Sequence, residues 1–523
     1  MQLKTLFCLA VVCLAQWTAD AQSNLNTNWT RRSLSLDECI RMALEQNQRI
    51  QVLRFDPRIA QFRLETSKGI YDPEFTSTYR RSFRSDEGGF DELTGLEVPA
   101  HTLDQDRFIP TLGGNLPTGL RYDLFGDFRH SRGEDPMGPF DEYTARAGIQ
   151  LSQPLLRNFW TDPDRTQIQV RKRELKISEM ALEAEIRLVI HDVSQVYYEL
   201  LFSLEDVRVQ QKAYEVATNF VAQQREKVKE GKLAEIDLKR AESQAATTLS
   251  DLVLAQLRAN SADILLKSLI TDKYKNWLNV RVDPSEKLVA VPERLDVYES
   301  WASAVAERPD LRQVELQQEI RQLERKRRYN ELYPELNATG GYGRTGLDAS
   351  RTFRYADPNN PSNALVKKFQ GGFGPALDDI SDGTSPRWNV GFFLRVPLSR
   401  QMERGRYNQA KEEENKNKAL LEQLHQTILV EVDTAIQEAR GDYLRISLTR
   451  QARIYAEAAL EAEENRLAAG KGTIFLVLEA QRNLTKAQSD EIRAQTDYLI
   501  RLSNLHLRDG TILQRNKVTI RFK

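Results

Sequence analysis

Cysteine is scarce in this chain of 523 residues, and the positions of its three cysteines exclude a framework of disulfide bonds. Cys8 and Cys13 lie in an N-terminal segment that we expect to be removed during export. Cys39 is then the remaining thiol, so we expect no intrachain disulfide in the mature chain.

An excess of charge of one sign and long hydrophobic runs are also absent. The 74 Lys and Arg residues nearly balance the 75 Asp and Glu residues, which leaves a net charge of -1 and no basic footprint for nucleic acid. Beyond the N-terminal segment no run of about 18 apolar residues occurs, so no transmembrane helix is expected. These absences do not exclude a transmembrane β-barrel, because its alternating strands hardly change an average composition.

The side-chain groupings that mark catalytic and metal sites are missing as well. None of the five histidines has metal-ligand spacing, and we interpret His191 as a packing or surface histidine. No phosphate-binding or dinucleotide-binding glycine loop occurs at a strand-to-helix junction, and no nucleophile lies near a base. The sequence therefore predicts no enzyme, no cofactor and no metal site.

The first 21 residues have the pattern of a signal peptide. Lys4 supplies the positive charge, residues 6–15 are apolar, and Ala19-Asp20-Ala21 matches the small-x-small cleavage pattern. A membrane anchor is the alternative, but the apolar run is too short to span a bilayer. We therefore expect cleavage after Ala21 and export of the mature chain.

Three landmarks occur twice in the same order. Pro73 has a counterpart in Pro334, residues 151–157 (LSQPLLR) in residues 394–400 (LRVPLSR), and Gly231 in Gly470. Such self-similarity predicts a duplicated architecture. We predict a first repeat over residues 33–275, a linker over 276–297, a second repeat over 298–511 and a C-terminal tail over 512–523.

Each repeat is predicted to contain a short helix, strands, a very long helix and a returning helix. Ser35 and Glu38 form a capping box for an opening helix that runs to about Ser67. A heptad series from Ile186 to Val228 predicts a long coiled-coil helix after Pro163. The remaining helices are expected near 236–270, 301–330, 402–468 and 474–507.

The predicted lengths fit together. A long helix of about 67 residues extends ~100 Å at 1.5 Å per residue. The opening and returning helices of a repeat sum to nearly the same length, so they can stack end to end beside the long helix. Each repeat would then build a two-layered rod ~100 Å long.

The segments between the opening and long helices alternate apolar and polar residues, which predicts strands. Examples occupy residues 120–128, 143–152 and 388–396, and the aromatic candidates for a membrane girdle are Tyr79, Phe83, Tyr342 and Trp388. Packing over a soluble core is the alternative, but it explains neither the location of the strands at one end of a ~100 Å rod nor the girdle aromatics, whereas a transmembrane barrel explains both. Four or six strands are too few for an open lumen, so several chains must share the barrel. Irregular loops are expected over 86–110 and 346–385.

The signal peptide, the duplication, the Gln153-Pro154-Leu155 strand exit and the paired glycine turns resemble the TolC-like outer membrane efflux protein family over roughly residues 33–510. The resemblance implies an α+β membrane protein and a homotrimer. Its duplicated helical hairpins would form a periplasmic coiled-coil tunnel, and its strands a shared β-barrel in the outer membrane. It further implies an exit duct for small molecules or secreted polypeptides that docks a periplasmic adaptor protein and an inner-membrane pump.

The resemblance also assigns candidate sites. Gly231 and Gly470 would form hairpin turns at the adaptor-docking tip, and Pro154 and Pro397 would mark strand-to-helix junctions. Of two acidic gate positions in the family, one falls on Leu476 and the other on Glu479. Asp237 matches a gate aspartate, and the family's bracing arginine falls on Gly472, next to Lys471. Whether the gate is charged or apolar stays open.

Besides the altered gate, the chain departs from the family pattern in one further place. The segment over 111–131, centred on Pro117-Thr118-Gly119, is additional to that pattern and suits an extra hairpin.

Two other functional classes stay open. A periplasmic coiled-coil scaffold would explain the heptads but not the strands. An envelope hydrolase with a helical stalk would need a catalytic constellation, which the sequence does not contain.

Overall fold

The chain is described by a computed structural model. It covers residues 30–90, 95, 97–98, 100–135, 138–231, 234–357, 360–368, 371–383 and 385–520. The predicted signal peptide over residues 1–21 lies outside this part of the chain.

Eleven helices are labelled α1 to α11. They are α1 (Leu36–Gln46), α2 (Gln48–Leu53), α3 (Phe55–Lys68), α4 (Pro163–Lys229), α5 (Glu235–Ile270), α6 (Val297–Glu307), α7 (Pro309–Asn330), α8 (Phe373–Asp382), α9 (Gln401–Ala468), α10 (Ile474–Arg508) and α11 (Ile512–Arg515). The predicted long helices are confirmed, since α4 has 67 residues and α9 has 68.

Nine strands are labelled β1 to β9. They are β1 (Thr30–Leu34), β2 (Glu74–Asp86), β3 (His101–Asn115), β4 (Arg121–Asp135), β5 (Gly138–Pro154), β6 (Val280–Pro284), β7 (Glu335–Asp357), β8 (Asn360–Lys368) and β9 (Pro386–Arg395). A two-residue pair, Gly89–Phe90 with Glu97–Val98, lies apart from them.

The main sheet is an antiparallel row in the order β2-β3-β4-β5-β7-β9, with β8 paired to the distal part of β7. The β3-β4 hairpin confirms the extra hairpin, and Gly119 forms its turn with φ +85°. Glycine adopts this left-handed conformation without a Cβ penalty. With this hairpin included, the row is six strands wide.

The chain divides into two compact units, each of which draws on both halves of the sequence. One comprises residues up to 58, 177–314 and 420 onward, and the other comprises 59–176 and 315–419. The first unit has a core built around the α4 heptad positions, of which Ile190, Val193 and Tyr197 are fully buried. Farther along α4 the seam is only partly covered, at Tyr214, Val221 and Val228.

The opening helix of each half is interrupted, which corrects the expectation of a continuous helix to Ser67. The capping box at Ser35 is present, but α1 ends at Asn47, whose ψ of 125° is extended. In the second half, α6 ends at Arg308 with a ψ of 122°, and Pro309 begins α7. Proline at the first helical position lacks the backbone donor that a helix start leaves unused.

The expectation of irregular loops over 86–110 and 346–385 was wrong in part. β3 begins at His101 and pairs with β2, so the first stretch is largely a hairpin. The second contains the end of β7, all of β8 and the helix α8. Its Gly, Pro, Asp and Asn content hid the short elements between the turns.

The predicted linker and tail contain folded elements. Within 276–297, β6 forms a parallel pair with β1, and Val282 is buried. Within 512–523, α11 places Ile512 and Leu513 in the core of the first unit. Both segments thus contribute to the hydrophobic core. Among the described residues, no helix is long and apolar enough to cross a membrane.

Candidate functional site

The main sheet has one apolar and one polar face, because successive side chains point to opposite sides of a strand. The apolar face carries Phe75, Tyr79, Phe83, Leu112, Leu124, Ile149, Leu151, Tyr342, Trp388, Val390 and Phe392. All four predicted girdle aromatics lie on it, with exposures between 49% and 76%. An exposed face of this size requires an apolar partner such as another protein surface or lipid.

The helix α8 covers the distal part of the apolar face. Arg344 Nη1 donates to the carbonyl oxygens of Ile380 and Ser381 at 3.0 and 3.1 Å, and the ring of Phe373 meets Tyr143 edge-on at 4.9 Å. Gly346 allows the close approach, since a Cβ there would lie 1.8 Å from the Ala376 carbonyl oxygen.

The polar face carries hydroxyl, amide and charged side chains. They include Thr76, Thr78, Arg80, Arg107, Thr111, Asp127, Arg129, Arg146, Gln150, Thr339 and Asn389. A wall with one apolar and one polar face suits a barrel that separates lipid from water.

The two predicted strand-to-helix junctions have similar geometry. Pro154 is the last residue of β5, and Asn158 follows with a φ of 66°. Its backbone nitrogen donates to Asn330 Oδ1 at 2.7 Å. Asparagine tolerates this left-handed conformation better than most residues.

At the second junction β9 ends at Arg395, shortly before Pro397. Arg400 then has a φ of 46°, and its guanidinium donates to the carbonyl oxygens of Pro397 and Leu332. These contacts hold the backbone in a conformation that is unfavourable for arginine. In both halves a left-handed residue, hydrogen-bonded to the end of α7 at Asn330 or to the turn after it at Leu332, redirects the chain from the sheet into the long helix.

A left-handed glycine follows each of the two long helices. Gly231 follows α4 with a φ of 73°, and its nitrogen donates to the Val228 carbonyl at 3.0 Å. Gly470 follows α9 with a φ of 76°. The nitrogens of Gly470 and Lys471 donate to the carbonyls of Leu467 and Arg466, which is the Schellman pattern.

The four candidate gate residues lie near these turns, but one chain does not bring them into polar contact. Asp237 is in the first turn of α5 and pairs with Arg240 at 3.2 Å. Lys471 lies exposed in the second turn. Within the described residues, no hydrogen bond or ion pair joins Asp237 to Lys471 or Glu479.

The first turns of α10 explain why the gate candidates point away from the core. Ile474, Val477 and Leu478 form its buried stripe at helical spacing. Leu476, which is 36% exposed, and Glu479 lie outside that stripe. Sequence reasoning missed Phe475, a 58% exposed aromatic beside them. The available sequence signal was that Phe475 is aromatic but falls outside the regularly spaced buried positions of α10.

The family model of the outer membrane efflux proteins matches residues 121–271 and 302–511 of this chain. The chain belongs to the outer membrane efflux protein family. It is therefore an outer membrane protein that extends into the periplasm, and its family consists of efflux channels.

The relatives of this efflux protein are distant in sequence but cover most of the chain. Outer membrane protein TolC of Escherichia coli (strain K12) is 21% identical over 440 residues, which is 82% of each chain. The structure of the outer-membrane channel OprN shares 16% identity with a TM-score of 0.64 and covers 91% of this chain and 90% of its own. The CmeC outer membrane channel of Campylobacter jejuni also shares 16%, with a TM-score of 0.63 and coverages of 91% and 86%.

No group of three or more His, Cys, Asp or Glu that could hold a metal ion occurs among the residues searched, namely the described ones. The solved structures of OprN and CmeC are described as outer-membrane channels.

Proposed function

We propose that this efflux protein assembles as a homotrimer whose chains share one β-barrel in the outer membrane. The observation that carries the proposal is the pair of open edges of the six-strand row. Within the described residues, β2 pairs only with β3, and the outer edge of β9 has no partner strand. An unpaired edge exposes backbone donors and acceptors, which is not tolerated in a lipid bilayer.

The strand count supports three copies. Neighbouring strands in the row are antiparallel, and each chain contributes an even number of strands. β9 of one chain therefore runs antiparallel to β2 of the next chain. Six strands from each of three chains make 18 strands. Barrels of about 16 to 18 strands leave an aqueous channel, whereas one of six strands has no room for a lumen.

In this proposal the apolar face meets lipid and the polar face lines the lumen. The hairpins α4-α5 and α9-α10 continue the duct as an α-helical tunnel across the periplasm. The protein then serves as the exit duct of a tripartite efflux pump or a type I secretion system. Its partners are a periplasmic adaptor protein, docked at the tips near Gly231 and Gly470, and an inner-membrane pump.

The tunnel is closed at its tip by a ring in the same proposal. Copies of Glu479 converge about the threefold axis, with Asp237 and Lys471 nearby and Leu476 as a second layer. Their location near the hairpin turns supports this role, since Lys471 and Leu476 are exposed and Asp237 and Glu479 are half-buried, which leaves all four free to face the axis. Pro154 and Pro397 mark the junctions between barrel and tunnel.

The assembly can be tested by cross-linking neighbouring chains. Cys39 is buried, so engineered thiols react with little background. Thr78→Cys on β2 combined with Asn389→Cys or Gly391→Cys on β9 should give trimers on oxidation. Thr78→Cys with Gln150→Cys is the matched control, because Gln150 lies on the same face of β5, which is three strands away from β2 in the row. Light scattering in mild detergent gives the mass independently. A monomer, or a mature protein that stays in solution without detergent, would support the periplasmic scaffold instead.

A further inference from the structure

Three arginines lie side by side on the polar face of the sheet. Arg80 on β2 is directly opposite Arg107 on β3, and Arg107 is directly opposite Arg129 on β4. Opposed residues of antiparallel strands have their Cβ atoms about 5 Å apart, and like charges in such pairs destabilise the sheet. A row of three therefore requires a compensating charge or a function.

Compensation by the described part of the chain is incomplete. Asp127 accepts two hydrogen bonds from Arg107, at 2.7 and 2.9 Å, and lies 3.8 Å from Arg129. Its side chain is only 10% exposed. Arg146 on β5 is directly opposite Asp127 and adds a fourth guanidinium group. The four arginines therefore share one close carboxylate.

Parts of these arginines have no hydrogen-bond acceptor. The Nε atoms of Arg129 and Arg146 are buried and find no partner among the described residues. The next carboxylate along the face, Glu142, accepts from Thr144 Oγ1 at 3.3 Å. A buried donor without an acceptor is costly, so an anion that enters here gains bonds that the protein alone does not make.

The position of these arginines along their strands indicates where they would lie in the wall of the proposed barrel. On the opposite face, Tyr79, Phe108 and Phe128 stand at the same level, near the distal end of the apolar band. Beyond them charged side chains join Phe83 on this face, with Arg81 and Arg132 both paired to Asp104. The arginine row thus lies where the wall would leave the bilayer.

We propose that Arg80, Arg107, Arg129 and Arg146, here called the arginine row, bind and select anionic solutes in the lumen. This inference rests on the proposed trimeric barrel. Four guanidinium groups against Asp127 leave three positive charges per chain, and three chains would place nine around the lumen. Guanidinium groups match carboxylate and phosphate oxygens in a two-pronged geometry, so the solutes carry carboxylate or phosphate groups.

A purely structural role explains the row less well. The Arg107–Asp127 pair by itself would bridge β3 and β4. Arg80 and Arg146 add repulsion to that pair without an ion-pair partner among the described residues. On the opposite face Arg81 and Arg132 share Asp104, and Arg81 Nε also lies 3.9 Å from Asp106, so two carboxylates balance the two arginines there.

The test is the ion selectivity of the purified full-length protein in planar bilayers. The reversal potential is recorded across a KCl gradient at low ionic strength, where charges in the wall act over longer distances. The variant Arg80→Gln/Arg129→Gln/Arg146→Gln retains the Arg107–Asp127 pair. Its chloride-to-potassium permeability ratio should fall by roughly twofold or more, because fewer wall charges attract the anion. Inorganic phosphate added to the wild type should reduce the chloride current, and the triple variant should lose this block.

Controls separate charge from structure. Arg132→Gln removes the same charge from the same strand on the opposite face and should leave selectivity unchanged. The triple Arg→Lys variant keeps the charges and should retain the anion preference. Asp127→Asn should shift selectivity the other way, towards chloride. If the triple Gln variant does not assemble, Arg80→Gln alone and Asp127→Asn still give opposite shifts.

The outcomes distinguish the two proposals. Channels whose selectivity and phosphate response are the same in wild type and triple variant would overturn the arginine row and leave the duct intact. An equal shift in Arg132→Gln would also overturn it. A wild type that forms no channel would overturn the proposed function and the row together.

Discussion

Asn47 and Arg308 have the same structural role in the two halves of the chain, although one acts through an amide and the other through a guanidinium group. Each interrupts an opening helix with an extended backbone, and each binds the last turn of a returning helix. Asn47 Nδ2 donates to the Leu269 carbonyl at 2.8 Å, and Arg308 Nη1 donates to the Arg508 carbonyl at 3.3 Å. A helix end leaves its last carbonyls without partners, and these side chains satisfy one in each half.

The first prediction concerns the amide of Asn47, which is 3% exposed. Asn47 Oδ1 also accepts from the nitrogens of Arg49 and Ile50 and so caps α2. Asn47→Ala should lower the free energy of unfolding by about 1–3 kcal/mol, because buried partners are left unsatisfied. Thermal unfolding in detergent, followed by circular dichroism, measures the loss. Gln48→Ala, an exposed neighbour, should change little, and equal melting of both variants would contradict the anchoring role.

The second prediction is that glycine-to-alanine changes in and after α9 have opposite signs. Gly470 has a φ of 76°, whereas Gly441 lies inside the helix, and a Cβ would meet open space at both. Gly470→Ala should destabilise by about 1 kcal/mol through the left-handed backbone. Gly441→Ala should stabilise by about 0.5–1 kcal/mol through helix propensity.

Melting temperatures of the two glycine variants measured side by side decide this prediction. Gly470→Val should in addition impair export more than barrel assembly, if the turn lies at the adaptor-docking tip. Normal efflux in that variant would count against the tip assignment, although not against the backbone argument.

The helices were predictable because the spacing of apolar residues and the residues that begin and end a helix indicate the same boundaries. The heptads of α4 and the glycines at 231 and 470 fixed the long elements to within a residue or two. The break at Arg308 had a local signal in Pro309, which begins α7. The anchoring contacts of Asn47 and Arg308 were not predictable in the same way, because each carbonyl that they bind is distant in the sequence.

The third prediction concerns the lone free thiol of the described residues. Burial raises the pKa of Cys39 to about 12. Because the thiolate is the reactive form, the native protein should resist N-ethylmaleimide near pH 8 and react only after unfolding in guanidinium chloride. Ser243→Cys places a thiol at an exposed site of α5 and should react in the native state. Rapid native labelling of Cys39 would show that the core around β1 and α1 opens.

The fourth prediction is an acid sensitivity that His191 contributes. Burial lowers its pKa below the ordinary value near 6.5, and Nδ1 lies 3.3 Å from Ser503 Oγ. Between the lowered pKa and about 6.5 the unfolded chain binds more protons than the folded one, so stability falls as the pH falls through that window. Above about pH 6.5 the contribution is fully present.

The measurement for His191 is the apparent melting temperature in detergent from about pH 7.5 to 5. His191→Gln should flatten part of the decline, and the rest should persist because burial also lowers the pKa of His506. His425→Gln, at a partly buried position of α9, is the control for the substitution itself. An unchanged pH dependence in His191→Gln would contradict the assignment.

The candidate sites were less predictable than the fold. Alternation placed the strands, and the resemblance suggested the tips, but neither pointed to the arginine row. Its members are spread over residues 80–146, and only the register of β2, β3, β4 and β5 brings them side by side. Strand pairing of this kind is a property of tertiary structure, since a shift of one residue would move every member to the other face.

The last prediction separates a charged from an apolar gate at the proposed tip. Three copies of Glu479 would repel one another and attract cations, whereas a ring of Leu476 would close the pore by excluding water. Conductance is recorded for the wild type, Glu479→Ala and Leu476→Ser, with and without divalent cations. If Glu479 lines the gate, its removal should shift the permeability ratio towards anions and reduce divalent block. If Leu476 is the main barrier, Leu476→Ser alone should raise the resting conductance.

Glu463→Ala on α9 provides the matched control for the gate, because it removes a carboxylate that pairs with Arg466 near the same turn. It should change neither selectivity nor resting conductance. Unchanged channels in both gate variants would place the constriction elsewhere, and the residues that resemble the family's gate would then be ordinary surface positions of α10. A response of Glu479→Ala to divalent cations that Glu463→Ala lacks would instead place Glu479 at the axis, because only a converging ring of carboxylates concentrates cations in the pore.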